Sequence, residues 1–354
     1  MPLFVAALSG SIATIRAGPF MRILITGCAG FIGFHLARRL LDAGHAVTGL
    51  DNLSPYYDPA LKRARLAEIE GRNGFRFVDL DVENAAELVS LFEMEQPEIV
   101  FHLAAQAGVR HSLSHPQAYV GANIVGTFNM LEACRAHTPA HLVLASTSSI
   151  YGASTTMPFD ERVRTAEPLT IYAASKGAGE LMAHSYAHLY AIPTTAVRFF
   201  TVYGPWGRPD MAYYIFARRI LSGEPLEINN NGCSLRDFTY IDDLVEAMAR
   251  LMDAVPGAEG RVEGDTLSAV APYRVVNAGG GQPVGLMDFV AEIEKAAGVT
   301  AQKLYRALPA GDSDATFADT RLLRSLTGYA PQTPIADGIP KFVEWYRAQG
   351  FRYA

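Results

Sequence analysis

Cysteine is scarce in this chain of 354 residues, and Cys28, Cys134 and Cys233 are odd in number and far apart. They offer neither a disulfide framework nor the paired spacing of a metal site, so no metal is expected and a reducing compartment fits. Charge of one sign is lacking as well. The formal net charge is −6, with acidic and basic residues well mixed. Without a Lys/Arg run there is no nucleic-acid footprint. No stretch approaches the roughly 20 apolar residues of a membrane span. Internal repeats and coiled-coil heptads are missing. Residues 1–20 have no basic start before their short apolar run, and Arg16 interrupts the stretch after it. That is unlike a signal peptide. We read the segment as a flexible extension and expect a cytoplasmic protein.

The chain is 49% hydrophobic, enough for one large core and a smaller lobe. Short apolar runs at Arg22–Thr26, Ala46–Asp51, Phe75–Leu80, Glu98–His102, His141–Ser146 and Thr194–Phe199 read as strands. Helical patterns such as Phe31–Ala43 lie between most of them. This alternation predicts an α/β protein with a doubly wound parallel sheet of Rossmann type, its nearly continuous apolar strands buried on both faces. Beyond about residue 200 the pattern becomes Gly/Pro-rich and irregular. A first domain is therefore expected over 21–200 and a smaller α/β lobe over 201–354, with a segment near 238–278 returning to the first. Residues 256–272 read as an exposed loop, and Arg274–Ala278 as one more strand.

Thr26–Gly33 reads TGCAGFIG between a strand and a helix. Gly27 permits the tight turn, Gly30 lets backbone approach a pyrophosphate, and Gly33 lets helix and strand pack closely. Asp51 ends the next strand, where a carboxylate accepts hydrogen bonds from the adenosine ribose and repels the extra phosphate of NADP. NAD is the expected cofactor. Phe31, Ile32, Asn52, Asp81 and Val82 are further candidate contacts around its adenosine half. Leu103, Ala104 and Ala105 leave the fourth strand with small residues where a flat cofactor passes, and Asn123 is a candidate polar contact on the helix beyond.

Tyr172 and Lys176 stand four residues apart in YAASK, on one face of a predicted helix over Ile171–Tyr190. A phenol with a pKa of about 10 is a poor base at neutral pH. The Lys176 ammonium and an oxidised nicotinamide are expected to stabilise its phenolate. Thr147, Ser148 and Ser149 leave the fifth strand at its C-terminal end, and their hydroxyls can relay a proton between a sugar and Tyr172.

Together TGCAGFIG, STSSIYG, YAASK, RFFTVYGPWGRPD, RDFTYIDD and GDSDATFADT resemble the extended short-chain dehydrogenase/reductase family, most closely its UDP-glucuronate 4-epimerase branch. The resemblance runs from about Met21 to the C-terminal YRAQG. It implies an isomerase in which Tyr172 takes the proton of the sugar 4-hydroxyl while hydride passes from C4 to NAD. Thr147 shares the hydrogen bond and Lys176 positions the cofactor. The 4-keto sugar turns over, and hydride returns to its other face. NAD, regenerated each cycle, stays tightly bound. Arg236 matches an arginine facing the diphosphate, and Asp312 an acid near the uridine ribose. Thr201 stands where epimerases of neutral UDP-hexoses usually carry Asn, and Arg208 offers a cation for a sugar carboxylate, unless Asp210 pairs with it. Arg110 is a further candidate sugar contact. Decarboxylases of the superfamily place an acid where this chain has Ser149, which favours epimerisation. A 4-epimerase of UDP-glucose or UDP-N-acetylglucosamine and a UDP-glucuronate decarboxylase are the alternatives. The family also implies a homodimer.

Overall fold

The computed structural model of the chain describes residues 20–257, 260–309 and 313–353. Its frame is a seven-stranded parallel sheet in the order β10-β6-β5-β4-β1-β2-β3. The strands are β1 (Arg22–Thr26), β2 (Ala46–Asp51), β3 (Phe75–Asp79), β4 (Ile99–His102), β5 (His141–Thr147), β6 (Thr194–Phe199) and β10 (Tyr273–Ala278). Helices cover both faces: α1 (Phe31–Asp42), α2 (Pro59–Ala67), α3 (Ala85–Glu95), the short α4 (His111–Ser114) and α5 (Pro116–Tyr119), α6 (Gly126–Ala136) and α7 (Ile171–Tyr190). A π-helical turn, Val120–Val125, joins α5 to α6. Every residue of β4 and β5 is buried, as a parallel sheet covered on both sides requires. The strand order reverses between β1 and β4, which opens a crevice at the C-terminal ends of the strands, the usual ligand position in such sheets.

The remaining elements build the second lobe and close the frame. They are β7 (Thr201–Tyr203), α8 (Ala212–Ser222), β8 (Leu226–Ile228), β9 (Leu235–Tyr240), α9 (Ile241–Leu251), β11 (Pro283–Gly285), α10 (Leu286–Ala297), β12 (Lys303–Tyr305), α11 (Arg321–Thr327) and α12 (Ile335–Ala348). Strands β11, β9 and β7 form one small sheet, and β12 and β8 another. The two halves share a hydrophobic core that reaches from Ile25 and Phe34 to Phe289 and Phe342. Strand β10 pairs with β6, so chain from beyond residue 200 completes the large sheet. The segment expected as an exposed loop before β10 is partly docked. Asp265 is buried and takes a 3.0 Å hydrogen bond from Arg274 on β10, because a buried guanidinium needs an anion beside it. Among the described residues no helix is long and apolar enough to cross a membrane.

Candidate active site

A cleft of about 520 Å³ lies at the C-terminal ends of the parallel strands. The glycine turn at the end of β1 forms one wall. Gly27 has φ +73° and donates its N–H to Leu50 O at 2.7 Å, while the Gly30 N–H bonds Gly27 O at 3.0 Å. A methyl group at Gly33 would collide with the Gly27 carbonyl, and one at Gly27 with the backbone of Ala104. The turn is therefore a bare backbone cradle. Helix α1 starts from Gly30 without a side-chain cap, which leaves its first N–H groups for an anion. At the end of β2, buried Asp51 accepts the N–H of Ala29 at 3.1 Å and of Leu53 at 2.9 Å. An anion cradle followed by a ribose-height carboxylate fits a dinucleotide such as NAD.

Gly27, Gly30, Phe31, Ile32, Gly33, Asp51, Asn52, Asp81, Val82, Leu103, Ala104 and Ala105 all line this cleft. Asn52 donates to Asp81 at 2.8 Å, so these residues of the adenosine end hold each other. Asn123 is the exception. It is only 1% exposed, and its amide bonds both backbone groups of Gln106 and the Ser175 hydroxyl. It braces the cleft wall from behind rather than touching the cleft's contents.

The opposite wall comes from β5 and α7. Thr170 caps α7 by accepting the N–H of Ala173 at 3.2 Å, which fixes the helix start that carries Tyr172. Tyr172, Lys176, Thr147, Ser148 and Ser149 line the same cleft, and the Thr147 hydroxyl is close enough to Tyr172 to favour its phenolate. Thr147 Oγ1 also accepts the Ser149 N–H at 3.2 Å. Burial pushes the phenol of Tyr172 above its ordinary pKa of 10, opposed by the nearby Thr147 hydroxyl and the positive charge of Arg208. The cation that favours the phenolate here is Arg208 rather than Lys176. Burial also pushes the Lys176 ammonium down to about 8, and the charge that supports it is Glu180, one turn on. Glu180 in turn is held by Arg198 at 2.8 Å and by Ser146 at 2.6 Å.

Thr201 and Arg208 also line the cleft. Arg208 is already paired: its Nε and Nη2 bond Asp210 at 3.0 and 2.5 Å. A second cavity of about 170 Å³ is lined by Arg236 and shares Ser148, Ser149 and Thr201 with the first. Arg236 donates to the carbonyls of Ser313 and Asp314. Arg110 is exposed and does not line either cavity. Asp312 lies outside the described residues.

Sequence reasoning missed Lys62, whose ammonium is 3.5 Å from Asp51 Oδ1 in the cleft wall. It also missed Arg65. That fully buried guanidinium donates to the carbonyls of Ala29, Trp206 and Gly207 and to the Tyr57 hydroxyl. It thereby ties the glycine turn to the loop that carries Arg208. The signal available was the basic spacing of LKRAR on the helix after Asp51.

A family model for the NAD-dependent epimerase/dehydratase family matches residues 23–262. A probable UDP-glucuronate 4-epimerase of Rhizobium meliloti (strain 1021) is 55% identical over 94% of this chain and 99% of its own length. UDP-glucuronate 4-epimerase 3 of Arabidopsis thaliana is 44% identical over 95% of this chain and 79% of its own. The crystal structure of a Bacillus cereus UDP-glucuronic acid 4-epimerase in complex with UDP-glucuronic acid and NAD is similar with a TM-score of 0.83. It is 32% identical and covers 93% of this chain and 99% of its own. With the glycine cradle and the Tyr172–Lys176 helix on one cleft, these likenesses show that the chain belongs to the NAD-dependent epimerase/dehydratase family, within the extended short-chain dehydrogenases/reductases.

Proposed function

We infer that the chain is an NAD-dependent isomerase that converts UDP-glucuronate to UDP-galacturonate by inverting C4 of the sugar. The observation that carries this is that Tyr172 and Thr147 line one cleft with the glycine cradle, Thr201 and Arg208. The relative from Rhizobium meliloti, 55% identical, supports the acidic sugar as substrate. When bound between the glycine turn, Asp51 and Lys176, NAD supplies a hydride acceptor for C4 and a positive ring that favours the phenolate. Tyr172 takes the 4-hydroxyl proton and later returns it. Thr147 holds the sugar oxygen on line with the phenol, and Lys176 keeps the ribose side of the site fixed. Arg236 serves the diphosphate, which stays anchored while the sugar turns over.

The 4-keto intermediate is a β-keto acid, so its carboxylate is the hazard. Loss of CO2 requires the C–C bond to that carboxylate to align with the carbonyl π system. The hydroxyls of Ser148, Ser149 and Thr201 and the Arg208 guanidinium hold the carboxylate out of that alignment. The described acids of the cleft wall, Asp51, Asp81 and Glu83, stand with the adenosine-side residues. We expect wild-type enzyme to epimerise UDP-glucuronate without releasing CO2, and Thr201→Ala to release CO2 measurably. A wild-type product of UDP-pentose and CO2 makes the enzyme a decarboxylase, and efficient turnover of UDP-glucose makes it a neutral-sugar epimerase.

The exposed side chains of Phe128 on α6 and of Leu181 and Leu189 on α7 support a homodimer in which these faces meet. The unpaired Cys28, Cys134 and Cys233 suit a cytoplasmic setting.

A further inference from the structure

Arg208 does not stand alone at the sugar end of the cleft. Asp210 takes its Nε and one Nη2 hydrogen through separate carboxylate oxygens, at 3.0 and 2.5 Å. The Tyr56 hydroxyl donates to the same carboxylate at 2.9 Å, and the guanidinium carbon lies 5.8 Å from the centre of the Tyr56 ring. Tyr56 belongs to the loop that leaves β2, beside the residues of the adenosine end. Its hydroxyl packs so closely on Gly108, in the loop after β4, that any side chain there would collide with it. Two loops of the cleft mouth therefore meet on one carboxylate, and a third packs against the Tyr56 hydroxyl.

A guanidinium carries five N–H donors in a rigid fork. The Asp210 contact uses the Nε–Nη2 edge, and among the described residues no acceptor takes Nη1. A planar group gripped along one edge cannot rotate, so its other edge has a fixed direction. Arg208 lines the cleft that holds Tyr172 and Thr201, and its charge is felt at Tyr172.

Resting on the acidic-sugar reading, we propose that Asp210 is the positioning residue that turns Arg208 into a reader of the sugar carboxylate. It grips one edge of the fork, with Tyr56 steadying it, and so presents the Nη1–Nη2 edge to the substrate. Asp210 does not touch the sugar. Its effect is selective: a neutral hexose has no carboxylate to meet that edge and gains nothing from its orientation. Because Tyr56 comes from the loop after β2, the reader links the cofactor side of the cleft to the sugar side.

The test is binding to the NAD-loaded enzyme, measured calorimetrically for UDP-glucuronate, UDP-glucose and UDP. In Asp210→Asn we expect Kd for UDP-glucuronate to rise about tenfold, the loss of one charge-assisted hydrogen bond at a partly exposed site. Kd for UDP-glucose and UDP and the content of bound NAD should stay at their wild-type values. Tyr56→Phe should shift the same ratio about threefold, and it keeps the test alive if Asp210→Asn folds poorly. Asp210→Glu, which restores the charge, should recover part of the preference. Equal weakening of both sugars means a structural role only. Tighter UDP-glucuronate binding means that Asp210 competes with the substrate for Arg208. Either result overturns the proposal, as does an unchanged ratio. If wild-type enzyme itself binds both sugars alike, the acidic-sugar reading fails instead.

Discussion

At Tyr172 the working group and its cost lie side by side. The phenol has the Thr147 hydroxyl beside it to favour its charged form, but burial raises its pKa. Lys176 shows the matching tension. Its ammonium is buried and pushed down to about 8 from 10.5, corresponding to about 3 kcal/mol. Between those values the unfolded chain holds a proton that the folded chain has lost, so stability rises with pH across the window. Below pH 8 the cost is present in full. Lys176→Met in the NAD-free protein should therefore melt higher than wild type at pH 7, with the advantage shrinking toward pH 10. A lower Tm at pH 7 contradicts this. Tyr172 and Lys176 were legible because their four-residue helical spacing is a local property. The Arg208–Asp210 pair was legible as an alternative from its two-residue spacing, whereas Tyr56 and Lys62 were not singled out, because their roles come from contacts made only in the folded chain. Tyr56 and Asp210, for example, are separated by 154 positions. The burial of Tyr172, which opposes its acidity, was not legible for a related reason: it is a property of the folded site, and spacing does not report it.

Among the elements, the β1–α1 turn and the α2 helix set the site. The glycine turn has no slack, since the Gly27 carbonyl occupies the place of any Gly33 side chain. Gly33→Ala is expected to cost at least about 2 kcal/mol in stability and to yield protein with much less NAD after purification. Cofactor released on denaturation, measured by absorbance, checks it, and a full complement of NAD contradicts it. Arg65 on α2 holds Trp206 through its carbonyl, where Trp206 adopts φ +62°. Such a backbone persists only when its surroundings fix it, and here it shapes the loop that carries Arg208. The inner strands of the large sheet could be read from their continuous apolar character, which follows from burial on both faces, whereas β3, at the sheet edge, has no fully buried residue. Strands β7, β8, β11 and β12 have three residues each, too short for any period to show, and they passed as Gly/Pro-rich loop.

For the molecule as a whole, the two halves share one core, and the cleft between glycine turn and sugar loops is the consequence. Leu181 is 74% exposed on α7, so a charge there leaves the folded subunit intact while opposing an apolar interface. Sedimentation should find wild-type dimers and Leu181→Glu monomers, and monomeric wild type contradicts the proposed dimer. The central claim is that Tyr172 moves the C4 hydroxyl proton beside a resident NAD. Its most direct measurement is proton NMR of UDP-glucuronate incubated with wild type and with Tyr172→Phe, no cofactor added. We expect wild type to form UDP-galacturonate, and the variant, still loaded with NAD, to be slower by about 100-fold or more. A variant that turns over within a few-fold of wild type, or a wild type that forms no UDP-galacturonate, contradicts the account.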